Sequence, residues 1–180
     1  RMKSLDVITI GRASVDLYGA QVGGRLEDMG SFQKYIGGSP CNIAAGTARL
    51  GLKSALITRV GDEHMGRFIR EELAREGVNV QGVVTDKERL TALVLLGIRD
   101  EKQFPLIFYR ENCADMALTE ADIDEQVEAL RDRFSSTTVV QRPAADGDVL
   151  SIDLSASVDG EVLEEAATEG TVLVAGHDLG

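Results

Sequence analysis

Two short segments of the sequence carry residue types that could bind a hydroxylated small molecule. In the first, Tyr35 to Gly51, Gly37 and Gly38 precede a helical pattern, and backbone without a Cβ can approach a ligand closely. Asn42 lies about one turn inside that helix, where its amide can both donate to and accept from a hydroxyl group. The same residues also fit a tight turn followed by a well-packed helix with a solvent-facing Asn, so spacing alone leaves both interpretations open.

Asp16 is the second candidate for hydroxyl binding. It follows the segment Gly11 to Val15, just past the carboxyl end of the first predicted strand, where ligands collect in open α/β sheets. A carboxylate there can accept two hydrogen bonds from adjacent sugar hydroxyls. The alternative is a loop Asp that caps local backbone amides.

Hydrophobic periodicity predicts the elements that must position these residues. Strands are predicted at 5–10, at 54–60 and from 78 onward. Helices are predicted at 39–50, with Ser39 as N-cap, and at 62–76, where Gly77 ends the helix. A hairpin is predicted to join 90–98 to 104–109, and 17–36 is predicted to be a β segment interrupted by glycines that departs from the main sheet. Alternation of strands and helices predicts an α/β fold whose parallel sheet is flanked by helices.

Composition narrows the class of protein. The 180 residues are 43% hydrophobic and 27% charged, which predicts one globular domain, or one domain with a short appendage. A net charge of -11 argues against nucleic acid as a partner, because phosphate neutralisation needs clustered cations. We expect no membrane partner, since no apolar run approaches the roughly 20 residues that cross a bilayer. Cys41 and Cys113 cannot form a disulfide framework and belong to no paired metal-ligand motif, so we expect a location in the reducing cytoplasm and interpret both as packing residues.

The character of the chain changes near residue 125. Residues 125–180 hold 12 acidic against 3 basic side chains, and seven of the eight aromatic residues precede them. Strands are predicted there at 149–154 and 171–175, with a short acidic helix at 159–168. We therefore predict a boundary between residues 1–124 and an acidic segment, 125–180.

These features together resemble the ribokinase-like, or PfkB, family of carbohydrate kinases over about residues 4–124. The matching residues occur in the order and separation of the family's N-terminal part: Ile10-Gly11 through Asp16, Gly37-Gly38, Asn42 with Ala44, Leu50-Gly51, and Gly61 to Gly66. The segments GRASVDLYG and FYRENCADMAL are most similar to the family members that act on 5-dehydro-2-deoxygluconate in inositol catabolism. The 2-keto-3-deoxygluconate kinases are the next most similar.

The resemblance implies a fold and a set of partners. The fold would be a Rossmann-like ribokinase fold with a small β-sheet lid built from about residues 17–36 and 90–109. The complete enzyme would use ATP and Mg²⁺ to phosphorylate a small-molecule sugar or sugar acid. A homodimer through the lid is also implied.

Roles for individual residues follow from the same resemblance. Asp16 and Asn42 would hold sugar hydroxyls, and Gly37-Gly38 would form the hinge through which the lid closes. Arg110, at the end of the hairpin, would reach the carboxylate or keto end of the substrate. An ion pair of Arg110 with Glu111 or Asp115 is the alternative.

The family's catalytic motif, a Gly-Ala-Gly-Asp sequence, is not found in residues 125–180, and neither are the ATP pocket and cation site. Ala175-Gly176-His177-Asp178 has His where Gly belongs, so Asp178 is not assigned as catalytic base. We assign no catalytic, cofactor-binding or metal residue in this chain, and expect an incomplete C-terminal half without kinase turnover of its own.

Two sets of alternatives stay open. The acidic segment 125–180 fits a divergent family tail, a different fused segment or an aberrant reading frame. A non-catalytic module that binds or senses a sugar acid is the alternative function, and a truncated, poorly folded product without function is the third interpretation.

Overall fold

The computed structural model describes residues 5–158, 161–162 and 168–176. The chain forms two compact units, of which the first ends at Phe134 and the second begins at Ser135. The predicted boundary near residue 125 falls inside a helix, Glu120–Arg133, that belongs to the first unit. Within the ranges described, no helix combines the length and the apolar character needed to cross a membrane.

The first unit combines a parallel sheet, two helices that pack on it, and a separate four-stranded sheet. Its elements in chain order are β1 (Val7–Ile10), β2 (Ser14–Gly19), β3 (Phe32–Gly37), α1 (Ser39–Arg49), β4 (Ser54–Gly61), α2 (His64–Arg75), β5 (Val83–Asp86), β6 (Ala92–Leu96), β7 (Leu106–Tyr109) and α3 (Glu120–Arg133). The parallel sheet has the order β1-β4-β5, and the second, called the lid sheet below, has the order β3-β2-β6-β7. The predicted fold class is therefore confirmed.

The core lies around β4, the central strand of the parallel sheet. Its residues read SALITRVG and are buried almost throughout, as expected for a strand covered on both faces. Leu56 and Val60 of β4 pack in one cluster with Ile69 and Leu73 of α2. The small residues of α1 join the same cluster, which lets that helix approach the sheet closely.

The two helices of the core begin where the sequence places glycine or a carboxylate. Gly38, not the predicted Ser39, is the N-cap of α1, because its φ of +97° turns the chain from β3 into the helix. Glu63 is the N-cap of α2 and accepts the backbone N–H groups of Met65 at 2.6 Å and Gly66 at 3.1 Å.

The lid sheet joins two distant parts of the chain. β2 pairs antiparallel with β3 on one side and parallel with β6 on the other. The predicted hairpin is confirmed as the antiparallel pair β6–β7. The predicted excursion at 17–36 is confirmed as part of β2, a short 3₁₀ helix at Leu26–Asp28, and β3.

Two elements of the first unit differ from the sequence-based expectation. The strand predicted from residue 78 is reduced to a single bridge between Asn79 and Ala55, and β5 begins at Val83. α3 was not predicted, although Thr119 and Asp122 form a capping box at its start, which is a recognisable sequence signal.

The second unit contains two antiparallel strand pairs. Its strands are β8 (Val149–Leu154), β9 (Ser157–Val158), β10 (Glu161–Val162) and β11 (Thr168–Val174). β8 pairs with β11 and β9 with β10, in agreement with the strands predicted at 149–154 and 171–175. The helix predicted at 159–168 is wrong at Glu161–Val162, which form a strand, and residues 163–167 lie outside the described residues, as does Asp178.

Candidate functional site

Asp16 lies in the middle of β2, in a sheet and not in the loop that was given as its alternative placement. It is paired directly with Tyr35 of β3 and with Val94 of β6, and Val94 is in turn paired with Phe108 of β7. Residues paired directly across neighbouring strands point to the same side of the sheet. Tyr35, Asp16, Val94 and Phe108 therefore form one row on a common face, called the Asp16 face below.

The carboxylate of Asp16 is partly buried and has one hydrogen-bond donor close by. The Ser14 hydroxyl donates to Asp16 Oδ1 at 3.1 Å. Burial raises the pKa of Asp16, while the Ser14 hydrogen bond and the positive charge of Arg12 act in the opposite direction. The acceptor positions that remain on this carboxylate can bind hydroxyl groups of a ligand.

Gly37 and Gly38 bring the start of α1 against this carboxylate. A Cβ at Gly37 would overlap the Asp16 carboxylate, and a Cβ at Gly38 would overlap the carbonyl oxygen of Arg12. Gly38 also has φ +97°, a conformation that L side chains rarely adopt. The structure therefore brings Asp16, Gly37 and Gly38 together, and only glycine fits the two positions.

Asn42 lies one turn further along α1, on an exposed face of the helix. It lines a groove of about 460 Å³ between β3, α1 and α2, whose other lining residues include Lys34 and Phe68. The Lys34 Nζ lies 4.0 Å from the centroid of the Phe68 ring. Asp16 is not among the lining residues of this groove, so the structure does not place Asn42 and Asp16 in one cavity.

Arg110, just beyond β7, is held by a buried carboxylate. Its Nε donates to Asp115 Oδ2 at 2.7 Å, and its Nη2 lies 2.6 Å from the same oxygen. Asp115 is only 7% exposed, and among the described residues its Oδ1 has no hydrogen-bond partner. The structure thus shows the ion pair that the sequence analysis gave as the alternative for Arg110.

Arg12 is a residue of this site that sequence reasoning missed. Its guanidinium carbon lies 5.7 Å from the centroid of the Phe108 ring, and its charge favours the ionised form of Asp16. The available signal was its place directly after the carboxyl end of β1, next to Gly11.

Glu63 connects the core to the lid sheet. Besides capping α2, its carboxylate accepts the backbone N–H of Thr91 at 3.2 Å and the Thr91 hydroxyl. Burial disfavours the charge, yet the hydrogen bonds from Thr91, Met65 and Gly66 hold the pKa of Glu63 below its ordinary value. The first turn of α2 and the residue before β6 are therefore tied together.

The described residues contribute hydrogen-bonding groups to this site. No group of three or more His, Cys, Asp or Glu side chains in the described ranges is arranged to hold a metal ion. Cys41 and Cys113 are free and buried. Burial and, to a smaller extent, the charge of Asp16 raise the pKa of the Cys41 thiol to about 12, so this thiol stays protonated.

Comparison with known proteins places the chain among carbohydrate kinases. Residues 4–169 match the family described as pfkB family carbohydrate kinase, a match that extends past residue 124, to which the sequence analysis limited the resemblance. The chain is 38% identical over 156 residues to a 5-dehydro-2-deoxygluconokinase of Geobacillus kaustophilus, covering 85% of this chain and 47% of the relative. It is 36% identical over 160 residues to a protein of the same name from Listeria monocytogenes, covering 87% of this chain and 49% of that relative.

A solved structure agrees with these relatives. An uncharacterized sugar kinase from Pyrococcus horikoshii in complex with ATP has a TM-score of 0.62 and 33% identity, over 68% of this chain and 39% of that one. The chain spans about half the length of the curated relatives it matches.

Proposed function

Because the chain belongs to the pfkB family of carbohydrate kinases, we propose that it supplies the acceptor-binding part of a kinase for a deoxy keto-sugar acid. The reaction moves the γ-phosphoryl group of ATP to a hydroxyl of the acceptor, most consistently 5-dehydro-2-deoxygluconate, which the names of the Geobacillus and Listeria relatives contain. Phosphoryl transfer depends mainly on positioning and on charge neutralisation. Binding of the acceptor in one orientation is therefore a large part of the catalytic task.

The observation that carries this proposal is the placement of Asp16 against Gly37. A partly buried carboxylate with one donor, Ser14, keeps acceptor positions for two neighbouring hydroxyls of a sugar. The absent side chain at Gly37 lets the carboxylate lie directly against the backbone that leads into α1.

The other residues receive supporting roles. Asn42 donates to and accepts from a hydroxyl when the lid sheet closes over the start of α1, and Gly37-Gly38 form the hinge of that movement. Closure excludes water, which competes with the sugar as phosphoryl acceptor. Arg110, fixed by Asp115, contacts the keto end of the substrate through the part of its guanidinium that Asp115 does not occupy.

ATP and Mg²⁺ are the cofactors that we propose for the complete reaction, supported by the ATP complex of the Pyrococcus relative. The described residues offer no cluster of carboxylates suited to a metal ion, so neither cofactor is assigned to residues of this chain. We accordingly propose that this chain alone binds the acceptor without turnover.

The side of the lid sheet opposite the Asp16 face supports a further proposal, a homodimer. Ile107 and Tyr109 alternate with Phe108 along β7 and are 45% and 55% exposed, an apolar surface that a second copy would cover. Sedimentation equilibrium tests this: a monomer at all concentrations would contradict it. The two buried free thiols support a cytoplasmic location.

Titration calorimetry with 5-dehydro-2-deoxygluconate tests the proposed function. We expect saturable binding that Asp16→Ala weakens by about 10- to 100-fold, as for the loss of hydrogen bonds to a charged group. Asp124→Ala, which removes an exposed carboxylate from α3, serves as the matched control and leaves affinity unchanged. A folded chain that binds no sugar acid would refute the proposal.

Two further outcomes separate the alternatives. Tighter binding of 2-keto-3-deoxygluconate than of 5-dehydro-2-deoxygluconate would assign the chain to the related kinases of that acid. Sugar-acid binding without turnover, even after addition of the C-terminal half of the Geobacillus relative, would identify a non-catalytic binding module.

A further inference from the structure

Arg12 is a cation on the Asp16 face that has no acidic partner among the described residues. Its guanidinium lies over the Phe108 ring, 5.7 Å from the centroid. Phe108 is paired with Val94, which is paired with Asp16, so ring and carboxylate belong to one row. Arg12 forms no salt bridge within the described part of the chain, unlike Arg49, for example, which pairs with Glu76.

Arg110, the residue expected to reach the carboxylate or keto end of the substrate, differs from Arg12 because its charge is already compensated. Both Nε and Nη2 of Arg110 contact Asp115 Oδ2. A second carboxylate approaching Arg110 would meet the negative charge of Asp115, and like charges in a partly buried site repel.

We propose that Arg12 binds the carboxylate of the sugar acid, and that it thereby selects acids over neutral sugars. This inference rests on the proposed function and deepens it by naming the group that sets the substrate class. The sugar's hydroxyls occupy Asp16, and its carboxylate pairs with the guanidinium above Phe108.

Charge makes such a cation necessary at this site. Asp16 is negative when it accepts hydroxyl hydrogen bonds, and it would repel an acidic substrate in the absence of a compensating group. Arg12 already interacts favourably with Asp16 through space without a salt bridge to it. Its nitrogen donors thus remain available for a bidentate contact with a planar carboxylate, which guanidinium groups make well.

The spacing of the row fits a ligand held at both ends. Strands in a sheet lie about 4.8 Å apart, so Asp16 and Phe108, two strands apart, are separated by roughly 10 Å. A six-carbon acid with a hydrogen bond of about 2.8 Å at each end spans a distance of this order. The Phe108 ring supports the guanidinium by a cation–π contact.

The test compares the affinity of the 180-residue chain for 5-dehydro-2-deoxygluconate with its affinity for a neutral sugar of the same length, D-fructose. Arg12→Met keeps most of the apolar stem and removes the charge; we expect about 10- to 100-fold weaker binding of the acid with unchanged binding of fructose. Arg12→Lys retains part of the preference for the acid. Phe108→Leu weakens acid binding less than Arg12→Met does, and Arg75→Met, on the exposed end of α2, is the matched control.

The outcomes distinguish this inference from the function on which it rests. Loss of the acid preference in Arg12→Met, with thermal unfolding like that of the parent chain, supports it. Retention of the preference in Arg12→Met, together with its loss in Arg110→Met, overturns it and leaves the proposed function intact. If the parent chain binds neither sugar, both the inference about Arg12 and the proposed function are refuted.

Discussion

The carboxylate of Glu63 accepts both the backbone N–H, at 3.2 Å, and the hydroxyl of Thr91. This pair joins the first turn of α2, in the core, to the residue from which the lid strand β6 departs. The same Thr91 hydroxyl lies 3.0 Å from the backbone nitrogen of Gly61, so the end of β4 shares the connection. We infer that these contacts of Thr91 set the orientation of β6 and, with it, of the row that contains Asp16.

Glu63→Ala is expected to lower the free energy of unfolding by about 2 kcal/mol, because it removes a helix N-cap and leaves buried donors of Thr91 unpaired. Urea denaturation followed by circular dichroism measures the effect. Glu71→Ala, an exposed position on the same helix, is the control. Equal midpoints for the two variants would show that the contact with Thr91 contributes nothing.

Acid should weaken the fold partly through the same carboxylate. The pKa of Glu63 lies below its ordinary value of 4.5, so Glu63 contributes stability that is present above about pH 4.5 and is lost as the pH falls through the lower pKa of the folded state. Glu63→Gln removes this dependence. The free energy of unfolding measured from pH 6 to pH 3 should therefore fall less steeply in Glu63→Gln than in the parent chain, and parallel curves would contradict the assignment.

Gly37→Ala is expected to disturb both fold and site, because its Cβ would overlap the Asp16 carboxylate. Overpacking of this kind costs about 1–3 kcal/mol, and sugar-acid affinity should fall with it. Gly46→Ala, inside α1 and with open space around the added methyl group, should instead raise stability by about 0.5–1 kcal/mol. Thermal unfolding and calorimetry of the two variants give the comparison, and similar behaviour would argue against close contact at Gly37.

Asp86→Asn is expected to be strongly destabilising. The Asp86 side chain is 2% exposed and pairs with Arg59 at 3.0 Å and Arg89 at 3.3 Å. Loss of its charge removes this partner from Arg89 and leaves Arg59 with Asp122 alone. Removal of one partner from a buried ion pair costs roughly 3 kcal/mol or more. Arg25→Ala breaks an exposed pair with Asp28 and should leave the unfolding midpoint unchanged. An unfolding midpoint of Asp86→Asn equal to that of the parent chain would show that the buried ion pair is dispensable for stability.

Thiol reactivity should be low in the folded chain. Burial raises the pKa of both Cys41 and Cys113, the former to about 12, and the thiolate is the reactive form. Labelling with iodoacetamide at pH 8 should modify both residues only after addition of denaturant. Rapid labelling of Cys41 in the native chain would show that the region beside Asp16 opens readily.

The elements that follow from local sequence were predicted well. The small residues after Gly38, the glycine stops and the apolar run of β4 are local signals, and each is found where its pattern indicates. The position of Asp16 was not predictable in this way, because β2 becomes a strand through pairing with β6, far along the chain. α3 was missed for a different reason: its capping box at Thr119 was present, but the acidic composition after residue 125 was taken as a boundary.

The residues of the candidate site likewise divide into those predictable from local sequence and those that depend on contacts between distant parts of the chain. Gly37 and Gly38 were recognised from their place before a helix, and Asp16 from its place after a strand. Arg12 was not recognised, because its significance depends on Phe108, a residue that only the register of β7 against β6 brings near it. The pairing of Arg110 with Asp115 likewise needed three-dimensional information to be chosen over the alternatives.

The parallel pairing of β2 with β6 also has a consequence for biosynthesis. β2 leaves the ribosome long before β6, with β3, α1, β4, α2 and β5 produced in between, a delay on the order of 10 s at ordinary translation rates. During this interval one edge of β2 exposes unpaired backbone groups, and exposed strand edges pair readily with other chains. The nascent chain thus passes through a period in which its acceptor-binding strand needs protection from aggregation, and slower translation of the segment before β6 would lengthen that period.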